Sequence, residues 1–397
     1  MDRRKFLKFA GSAATFCTTF LQKISTAQAQ TWQKLGVATG SKVRLPKHSR
    51  PFKNTIGAVR NQSIALRSDG NVLASGQNIY GQLGDNSTVN KSAYVQAIGV
   101  SNAVAVACGY KHSIALRSDG NVFACGYNFY GPLGDNSVVS KSTYVQAIGI
   151  SNAVAIAAGH YHNIALRSDG NVFANGRNQA GELGDNSVVS KSTYVQVIGI
   201  SNAVAVAAGQ SHSIALRSDG NVFASGANSY GQLGNNSAIN TWTYVQAIGI
   251  SNAVAIAANA LHSIALRSDG LVFASGYGGL VGDNTTVSKS TYVQAIGISN
   301  AVAIAAGQNY SIALRSDGLV FACGYNGFGQ LGINSTANKS TYVQVIGISN
   351  AVTIVAAYHS IALRSDGNVF ACGNNDLGQL GDNSVVNKST FVQASGV

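Results

Sequence analysis

Histidine is the residue of this 397-residue chain whose type and spacing best suit chemistry, because imidazole binds metals and moves protons near neutral pH. The histidines recur at one position of a repeated pattern: His112, His162, His212, His262 and His359. Two further copies carry Gln62 and Tyr310 there. Metal ligands must lie about 2.0–2.3 Å from one ion, and neighbouring copies are too far apart for that. We predict no metal site, and expect each histidine to hydrogen-bond its own turn.

Cysteines and acidic residues add no recognisable reactive centre to the sequence. Cys108 and Cys125 are predicted on strands separated by a third strand, which exceeds the reach of a disulfide. No C-x-x-C, H-E-x-x-H, P-loop or nucleophile-elbow pattern occurs. Aspartates in Gly-Asp-Asn, such as Asp135, are typical of Asx turns. We therefore predict no catalytic residues and no cofactor.

The elements that must position these residues come from one repeat. The string Ile-Ala-Leu-Arg-Ser-Asp-Gly begins at seven positions that are 48–50 residues apart: Ile64, Ile114, Ile164, Ile214, Ile264, Ile312 and Ile361. Self-similarity at this period predicts a repeat architecture.

Each copy contains four short strand patterns, which in the second copy are residues 103–107, 113–117, 122–126 and 143–147. Asp119-Gly120 between the second and third predicts a tight hairpin. Four antiparallel strands repeated seven times indicate an all-β fold, a seven-bladed β-propeller of four-stranded antiparallel blades. Small residues on the first strand suit the crowded position nearest the axis. A β-solenoid is the alternative, because stacked repeats also have fixed periods.

The repeat resembles the regulator of chromosome condensation repeat. Residues 209–234 carry the pattern G-x-x-H-S-x-A-L-x-x-D-G-x-V-x-x-x-G-x-N-x-x-G-x-L-G, and the resemblance covers about residues 54–397. The resemblance implies a seven-bladed propeller, but it does not imply one function, because members of the family have different functions. The family includes a nucleotide exchange factor on chromatin, which uses an insertion that no copy here carries. It also includes a secreted bacterial β-lactamase inhibitor protein, which binds its target with one propeller face.

The positive charge of the chain is concentrated at its N-terminus. The formal net charge is +12, yet residues 61–397 carry 15 basic and 14 acidic side chains. The excess therefore belongs to the first 60 residues, and we expect no nucleic-acid partner. No charge-free apolar run reaches the roughly 18 residues that span a bilayer, so we expect no stable membrane insertion.

The first 29 residues have the parts of an export signal. Arg3-Arg4-Lys5-Phe6-Leu7-Lys8 precedes a short apolar stretch and a small-x-small site at residues 27–29. Paired arginines before Phe-Leu-Lys resemble the bacterial twin-arginine signal. We predict a twin-arginine-type signal peptide over 1–29, a basic leader over 30–53 and the propeller over 54–397. The protein is therefore expected to be exported, to the periplasm or beyond.

The loops at the two ends of the predicted blades differ in how much they vary. With the strands of a blade lettered A to D in chain order, loops AB and CD emerge at one end, and BC and DA at the other. Loop BC is Arg-Ser-Asp-Gly in all seven copies, and DA is Ser-Asn-Ala in six. The geometry of a tight hairpin explains the constancy of loop BC better than the constancy of loop DA. The AB and CD loops vary and are rich in Tyr, Asn, Gly and Ser, a composition typical of adaptable protein-binding surfaces.

We therefore predict a partner-binding face at the AB–CD end. Its residues are Tyr80, Tyr110, Lys111, Tyr127, Phe129, Tyr130, His160, Tyr161, Arg177, Gln210, Tyr230, Tyr277, Tyr325 and Phe328. We expect a monomer whose partner is a protein or a cell-surface glycan, because tyrosine-rich pockets also accommodate sugars. One alternative is an enzyme at the axial opening, using Glu182, His160 or Asp376. Another, from the resemblance alone, is a guanine-nucleotide exchange factor.

Overall fold

The computed structural model describes residues 56–59, 62–67, 69–376 and 378–394. The predicted signal peptide and leader lie outside these described residues. The described chain forms 28 strands in seven four-stranded sheets, each antiparallel with its strands in chain order. The predicted seven-bladed β-propeller is therefore confirmed. Among the described residues, no helix is long and apolar enough to cross a bilayer.

The blades follow one another along the chain, with strands A to D of each in order. Blades 1 and 2 are β1 (Ile56–Val59), β2 (Gln62–Leu66), β3 (Val72–Gly76), β4 (Lys91–Gln96), β5 (Ala103–Cys108), β6 (His112–Arg117), β7 (Val122–Gly126) and β8 (Lys141–Gln146). Blades 3 and 4 are β9 (Ala153–Ala158), β10 (His162–Arg167), β11 (Val172–Gly176), β12 (Lys191–Gln196), β13 (Ala203–Ala208), β14 (His212–Arg217), β15 (Val222–Gly226) and β16 (Thr241–Gln246). Blades 5 and 6 are β17 (Ala253–Asn259), β18 (His262–Arg267), β19 (Val272–Gly276), β20 (Lys289–Gln294), β21 (Ala301–Gly307), β22 (Tyr310–Arg315), β23 (Val320–Gly324) and β24 (Lys339–Gln344). Blade 7 is β25 (Ala351–Ala356), β26 (His359–Arg364), β27 (Val369–Gly373) and β28 (Lys388–Gln393).

The first strand of each blade is the innermost. Each of these strands from β1 to β21 packs against the first strand of the following blade. Strand β13 reads Ala-Val-Ala-Val-Ala-Ala, and Ala203 and Ala207 on it are buried. Small side chains let neighbouring backbones approach closely around the axis, as the sequence predicted.

The hydrophobic core lies between blades rather than within one sheet. Ile164 and Leu166 of blade 3 pack in one cluster with Val206 and Phe223 of blade 4. The same arrangement joins the other neighbouring pairs from blade 1 to blade 7. A single blade would leave these side chains in water, so the apolar burial that drives folding requires neighbouring blades.

The invariant end is built from BC hairpins that pack on DA turns. Gly120 accepts a 3.0 Å hydrogen bond from the amide of Ala153, which begins the next blade. A Cβ added at Gly120 would lie 2.7 Å from Cα of Asn152, which has a φ of 54°. The hairpin therefore has no room for a side chain, and the turn needs a residue that tolerates positive φ. Folding thus accounts for the constancy of both loops, including the Ser-Asn-Ala turn.

Four histidine rings bond to the next blade, not to their own turn as we expected, and they are those of His112, His162, His212 and His262. His212 Nε2 lies 3.0 Å from Ser263 Oγ, and His112 Nε2 lies 2.6 Å from Asn163 Oδ1. The bond to the histidine's own turn is made by the backbone. In blade 2, the carbonyl of His112 accepts from Gly109 N at 2.9 Å. Gly109 is required beside the ring, since a Cβ there would lie 2.0 Å from His112 Cε1.

Candidate functional site

The AB and CD loops emerge together at one end of each blade, as predicted. Tyr127, the first residue of a CD loop, donates its backbone N–H to the carbonyl of Lys111 in the AB loop at 2.9 Å. Arg177 makes the same 2.9 Å bond to Tyr161 in blade 3. The two variable loops of a blade are therefore held side by side. We call the surface formed by the AB and CD loops the variable end.

Backbone hydrogen bonds also link the AB loops of successive blades. Tyr110 N donates to His160 O at 3.1 Å, and His160 N donates to Gln210 O at 3.4 Å. Gln308 N donates to Ala357 O at 2.8 Å between blades 6 and 7. Because these loops leave the innermost strands, they lie around the propeller axis.

Each CD loop is organised by the asparagine of the G-x-N sequence. In blade 2, Asn128 donates its side-chain amide to Asp135 Oδ1 and to the carbonyls of Ser137 and Val139, at 3.1–3.2 Å. Its own Oδ1 accepts from Leu133 N at 3.0 Å. Asp135 accepts from Ser137 N at 3.1 Å, which confirms the predicted Asx turn. These bonds, most of them partly buried, hold the loop in one conformation, so the aromatic residues that precede and follow Asn128 have a fixed support.

Seven ring side chains from blades 1 to 3 meet at the variable end. They are Tyr80, Tyr110, Tyr127, Phe129, Tyr130, His160 and Tyr161, and we call them the aromatic cluster. Tyr127 is central to the cluster, with ring centroids 5.2 Å from Tyr80 and 5.5 Å from Tyr161.

The outer part of the cluster differs from its inner part in packing and exposure. Tyr110 stacks on His160 at 5.1 Å beside the axis, and both side chains are half-buried. Phe129 lies at the outer side against Tyr130, and 66% of its surface is exposed. An exposed phenylalanine on a fixed loop is an apolar contact available to a partner.

Two cations lie within the aromatic cluster. Lys111 Nζ is 4.7 Å from the ring centroid of Tyr80 and 5.7 Å from that of Tyr127, and it donates a 3.2 Å hydrogen bond to the Tyr80 hydroxyl. Arg177 lies 5.9 Å from the ring centroid of Tyr130 and 3.6 Å from the carboxylate of Glu182. Ring faces carry negative partial charge, so both cations are attracted to the rings.

The surroundings shift the ionisation of several groups in the cluster. Burial, followed by the nearby phenol of Tyr130, raises the pKa of Tyr127, and burial also raises the pKa of Tyr161. Burial, aided by the positive charge of Arg177, lowers the pKa of His160 to about 4. Near neutral pH the phenols therefore keep their protons and His160 is uncharged.

The remaining predicted residues do not join the aromatic cluster. Tyr230 and Tyr277 form a separate pair with centroids 5.1 Å apart, and Tyr325 pairs with Phe328 at 6.1 Å. Gln210 contributes the backbone carbonyl that holds His160. The predicted face is thus one continuous cluster over blades 1 to 3 and two smaller aromatic pairs.

Sequence reasoning missed Trp242, which is half-exposed on strand β16. Its Cδ1 lies over Gly181 in the CD loop of blade 3, where an added Cβ would be 2.8 Å away. Six blades begin strand D with Lys-Ser, whereas blade 4 has Thr241-Trp242. This difference is visible in the sequence, but Trp242 lies on a strand and not in an AB or CD loop, where the variable residues were sought.

Two of the groups considered for an enzyme, Glu182 and Asp376, lie on different blades. Glu182 is buried in blade 3, where it binds the amide of Ala180 at 2.8 Å and pairs with Arg177. Asp376 belongs to blade 7 and accepts from Asn374 at 2.8 Å. Within the described part of the chain, no group of three or more His, Cys, Asp or Glu residues could hold a metal ion.

The buried cysteines lie at the ends of strands that lead into the variable end, Cys108 before an AB loop and Cys125 before a CD loop. Cys108 and Cys125 both pair with Ser113, from strands on either side of it, and neither is in a disulfide. Burial raises the pKa of Cys108 to about 12, so this thiol stays protonated.

Seven four-stranded antiparallel blades, with one variable and one invariant end, define a repeat β-propeller. The chain belongs to the RCC1-like domain family, whose sequence model matches residues 140–396. Models of the regulator of chromosome condensation (RCC1) repeat match residues 69–116 and 103–131 as well. The family that the repeat pattern resembled is therefore confirmed.

Several solved structures share this fold at low sequence identity. Human WBSCR16 has a TM-score of 0.70 at 20% identity, over 82% of this chain and 94% of that one. Yeast RCC1 (Prp20), in a structure with Kap60 bound, has 0.70 at 20% identity, over 91% of each chain. Prp20p of Saccharomyces cerevisiae, described with its binding to Gsp1p and histones, has 0.69 at 21% identity, over 86% and 87%. No curated protein matches the sequence. At these identities the likeness concerns the fold.

Proposed function

We propose that this protein is an exported, non-enzymatic binding scaffold whose variable end binds a protein or a cell-surface glycan. The observation that carries the proposal is the aromatic cluster of blades 1 to 3. Aromatic side chains lose little conformational entropy on binding, and they dominate the energy of many interfaces. Here they are supported by the hydrogen-bonded CD loops that Asn78 and Asn128 organise.

Two further observations support a scaffold over an enzyme. Glu182 and Asp376 lie in blades 3 and 7, and each is engaged by a neighbouring group. The low pKa of His160 makes it a weak base at neutral pH. Yeast Prp20p, which has the same fold, is described with protein partners, and we extend that property to this chain as part of the proposal.

Export is the second part of the proposal and rests on the N-terminal sequence. Residues 1–29 have paired arginines, a short apolar stretch and a small-x-small site. If the protein works outside the cytoplasm, its partner belongs to the cell envelope or to the surroundings of the cell.

Capture from cell extracts tests both parts. The intact chain, immobilised, is expected to retain a partner from an envelope extract and not from a cytosolic one. A variant with Tyr127→Ala, Tyr130→Ala and Tyr230→Ala should lose this capture at least tenfold, because the loss of buried aromatic contacts costs about 2 kcal/mol or more. Blade 4 already carries alanine at the position of Tyr127, as Ala227. Blade 3 carries alanine at the shared position of Tyr130 and Tyr230, as Ala180, so the fold accommodates the changes.

A matched control alters the opposite end of the molecule. Asn121→Leu with Asn221→Leu gives blades 2 and 4 the residue that blades 5 and 6 carry as Leu271 and Leu319. This control should capture as the unchanged protein does. Capture that survives the tyrosine variant, or that is lost in the control, contradicts a binding role for the variable end.

A further inference from the structure

Lys111 is a cation held among phenols without an acidic partner. Its Nζ lies 4.7–5.7 Å from the ring centroids of Tyr80, Tyr110 and Tyr127. Among the residues that the structure describes, no carboxylate lies within 4.0 Å of it. By contrast, Lys91 and Lys289 at the starts of outer strands pair with aspartates at 3.3 and 2.9 Å. The positive charge of Lys111 is therefore available to a ligand.

Three pairs of rings in the aromatic cluster pack edge to face. The Tyr80–Tyr127, Tyr110–Tyr161 and Phe129–Tyr130 pairs have interplanar angles of 78°, 88° and 85°. In such edge-to-face pairs, one ring covers the face of the other. Ring edges carry positive partial charge, and protonated phenols donate hydrogen bonds. This surface is suited to a negatively charged group with several acceptor atoms.

The second cation of the cluster, Arg177, differs from Lys111 in having an acidic partner, and that partner is buried. Arg177 is held beside Tyr130 by Glu182, whose side chain is 1% exposed. Burial raises the pKa of Glu182, although its backbone hydrogen bonds oppose the shift. The acid is thus behind the arginine and does not present a carboxylate to solvent. The two cations therefore lie half-buried among half-buried tyrosines, with the exposed Phe129 in the same cluster.

We propose that the aromatic cluster binds an acidic segment of a protein, with a carboxylate of that segment at Lys111 and an apolar neighbour on Phe129. This inference rests on the proposed binding function and names the chemistry of the partner. A carboxylate supplies the missing counter-charge of Lys111 and can accept from the hydroxyls of Tyr80 and Tyr127. Sugar rings stack on open aromatic faces, and each edge-to-face pair of the cluster covers one such face.

The test is a peptide-display selection on the intact, immobilised chain. Selected peptides are expected to be enriched in Asp and Glu next to a large apolar residue. The affinity of a synthesised selected peptide is then measured by fluorescence anisotropy, beside a counterpart with Asn and Gln in place of its acids. The amide counterpart should bind about tenfold or more weakly, because a charge-assisted hydrogen bond is lost.

Variants of the chain locate the contact. Lys111→Leu, which installs the residue of blade 5 (Leu261), should weaken binding about tenfold or more, and Lys111→Arg should restore most of it. Tyr80→Phe should weaken binding less, and blade 6 already has Phe328 at this position. Lys339→Leu, which removes a cation from blade 6 outside the cluster, should leave the affinity unchanged. Thermal unfolding checks that each variant is folded.

Three outcomes overturn the proposal. These are selected peptides without acidic enrichment, equal affinity for the acidic and amide peptides, and equal affinity of the unchanged and Lys111→Leu proteins. Polygalacturonate, an acidic glycan, is the comparison probe, and its binding in place of the peptides would also overturn it. Capture through the variable end without an acidic preference would leave the proposed function standing and reject this inference alone.

Discussion

At the scale of single residues, one position explains how neighbouring blades recognise each other. His212 Nε2 meets Ser263 Oγ, whose hydroxyl is donated to the carbonyl of Gln232 at 2.8 Å. The histidine must therefore donate, which places its proton on Nε2. The two copies without histidine also carry a group that can donate, and Gln62 Nε2 lies 3.4 Å from Ser113 Oγ. Tyr310 OH lies 2.9 Å from Ser360 Oγ, whose own hydrogen is directed to the carbonyl of Gln330 at 2.7 Å, so the tyrosine donates. The shared property of the position is a buried donor, not an imidazole.

This interpretation predicts how two aromatic substitutions, which differ by one hydroxyl group, change the stability of the protein. His212→Phe removes the donor and should lower the free energy of unfolding by about 1–3 kcal/mol, because Ser263 loses a buried partner. His212→Tyr keeps a hydroxyl donor, as Tyr310 does in blade 6, and should be less destabilising by about 1 kcal/mol or more. Denaturant unfolding followed by circular dichroism measures both. Equal destabilisation by Phe and Tyr would show that the bond does not matter.

At the scale of elements, the two ends of a blade are under different constraints. The BC hairpin of one blade packs on the DA turn before the next, so a change in either loop disturbs both. The CD loop is held by its own asparagine, and residues beside that asparagine point outward without altering the frame. Repetition of sequence is therefore required at one end and not at the other, which leaves the variable end free to acquire binding residues.

Two glycines with the same backbone conformation test the hairpin contact. Gly220 and Gly279 both have a φ of 82°, but an added Cβ would lie 2.7 Å from Asn252 Cα at Gly220 and would meet nothing within 4 Å at Gly279. Both alanine substitutions share the strain of positive φ, about 1–2 kcal/mol. Gly220→Ala should be more destabilising than Gly279→Ala by about 1–3 kcal/mol, since it also overpacks the turn.

The measurement is the thermal midpoint of each variant against the unchanged protein. A larger fall for Gly220→Ala is the expected result, together with normal peptide binding at the aromatic cluster, which lies at the opposite end. Equal midpoints for the two variants would mean that the hairpin moves aside and that contact with the turn does not constrain the sequence.

At the scale of the whole molecule, buried neutral histidines occur at four successive blade interfaces. Burial lowers the pKa of His112 and His262 to about 4 and that of His162 and His212 to about 3, from an ordinary value of 6.5. His359 in blade 7 is lowered to about 4 for the same reason. The unfolded chain therefore binds more protons than the folded chain below pH 6.5. Stability from these groups is complete above that pH and decreases as the pH falls towards 3–4.

The propeller should consequently lose stability steeply between pH 6.5 and pH 4. Each buried histidine contributes on the order of 2–3 kcal/mol to this loss near pH 4. Thermal unfolding at a series of pH values measures it. A double variant, His162→Gln with His212→Gln, keeps a donor as Gln62 does and should show a shallower dependence. Parallel curves for the two proteins would contradict the role of the histidines.

Much of this structure was predictable from the sequence. The seven Ile-Ala-Leu-Arg-Ser-Asp-Gly strings predicted the blade count, and strands β5 to β8 begin and end within two residues of their predicted limits. The variable end was predictable because alternation places AB and CD loops at one end of an antiparallel sheet. The roles of Gln62 and Tyr310 could not be predicted. The sequence does not show that these two side chains and histidine all face a serine of the next blade, and only that contact reveals their shared role.

The sequence by itself determined the number of blades, the order of their strands and the end of the molecule that varies. These follow from local patterns that repeat about every 50 residues, and a repeat specifies its own hydrogen bonds and turns. Tertiary structure alone decided that nine of the fourteen predicted residues form one cluster on blades 1 to 3, and that Lys111 lies between three tyrosines. Those side chains come from separate repeats, and the distances between them depend on how the blades are placed around the axis.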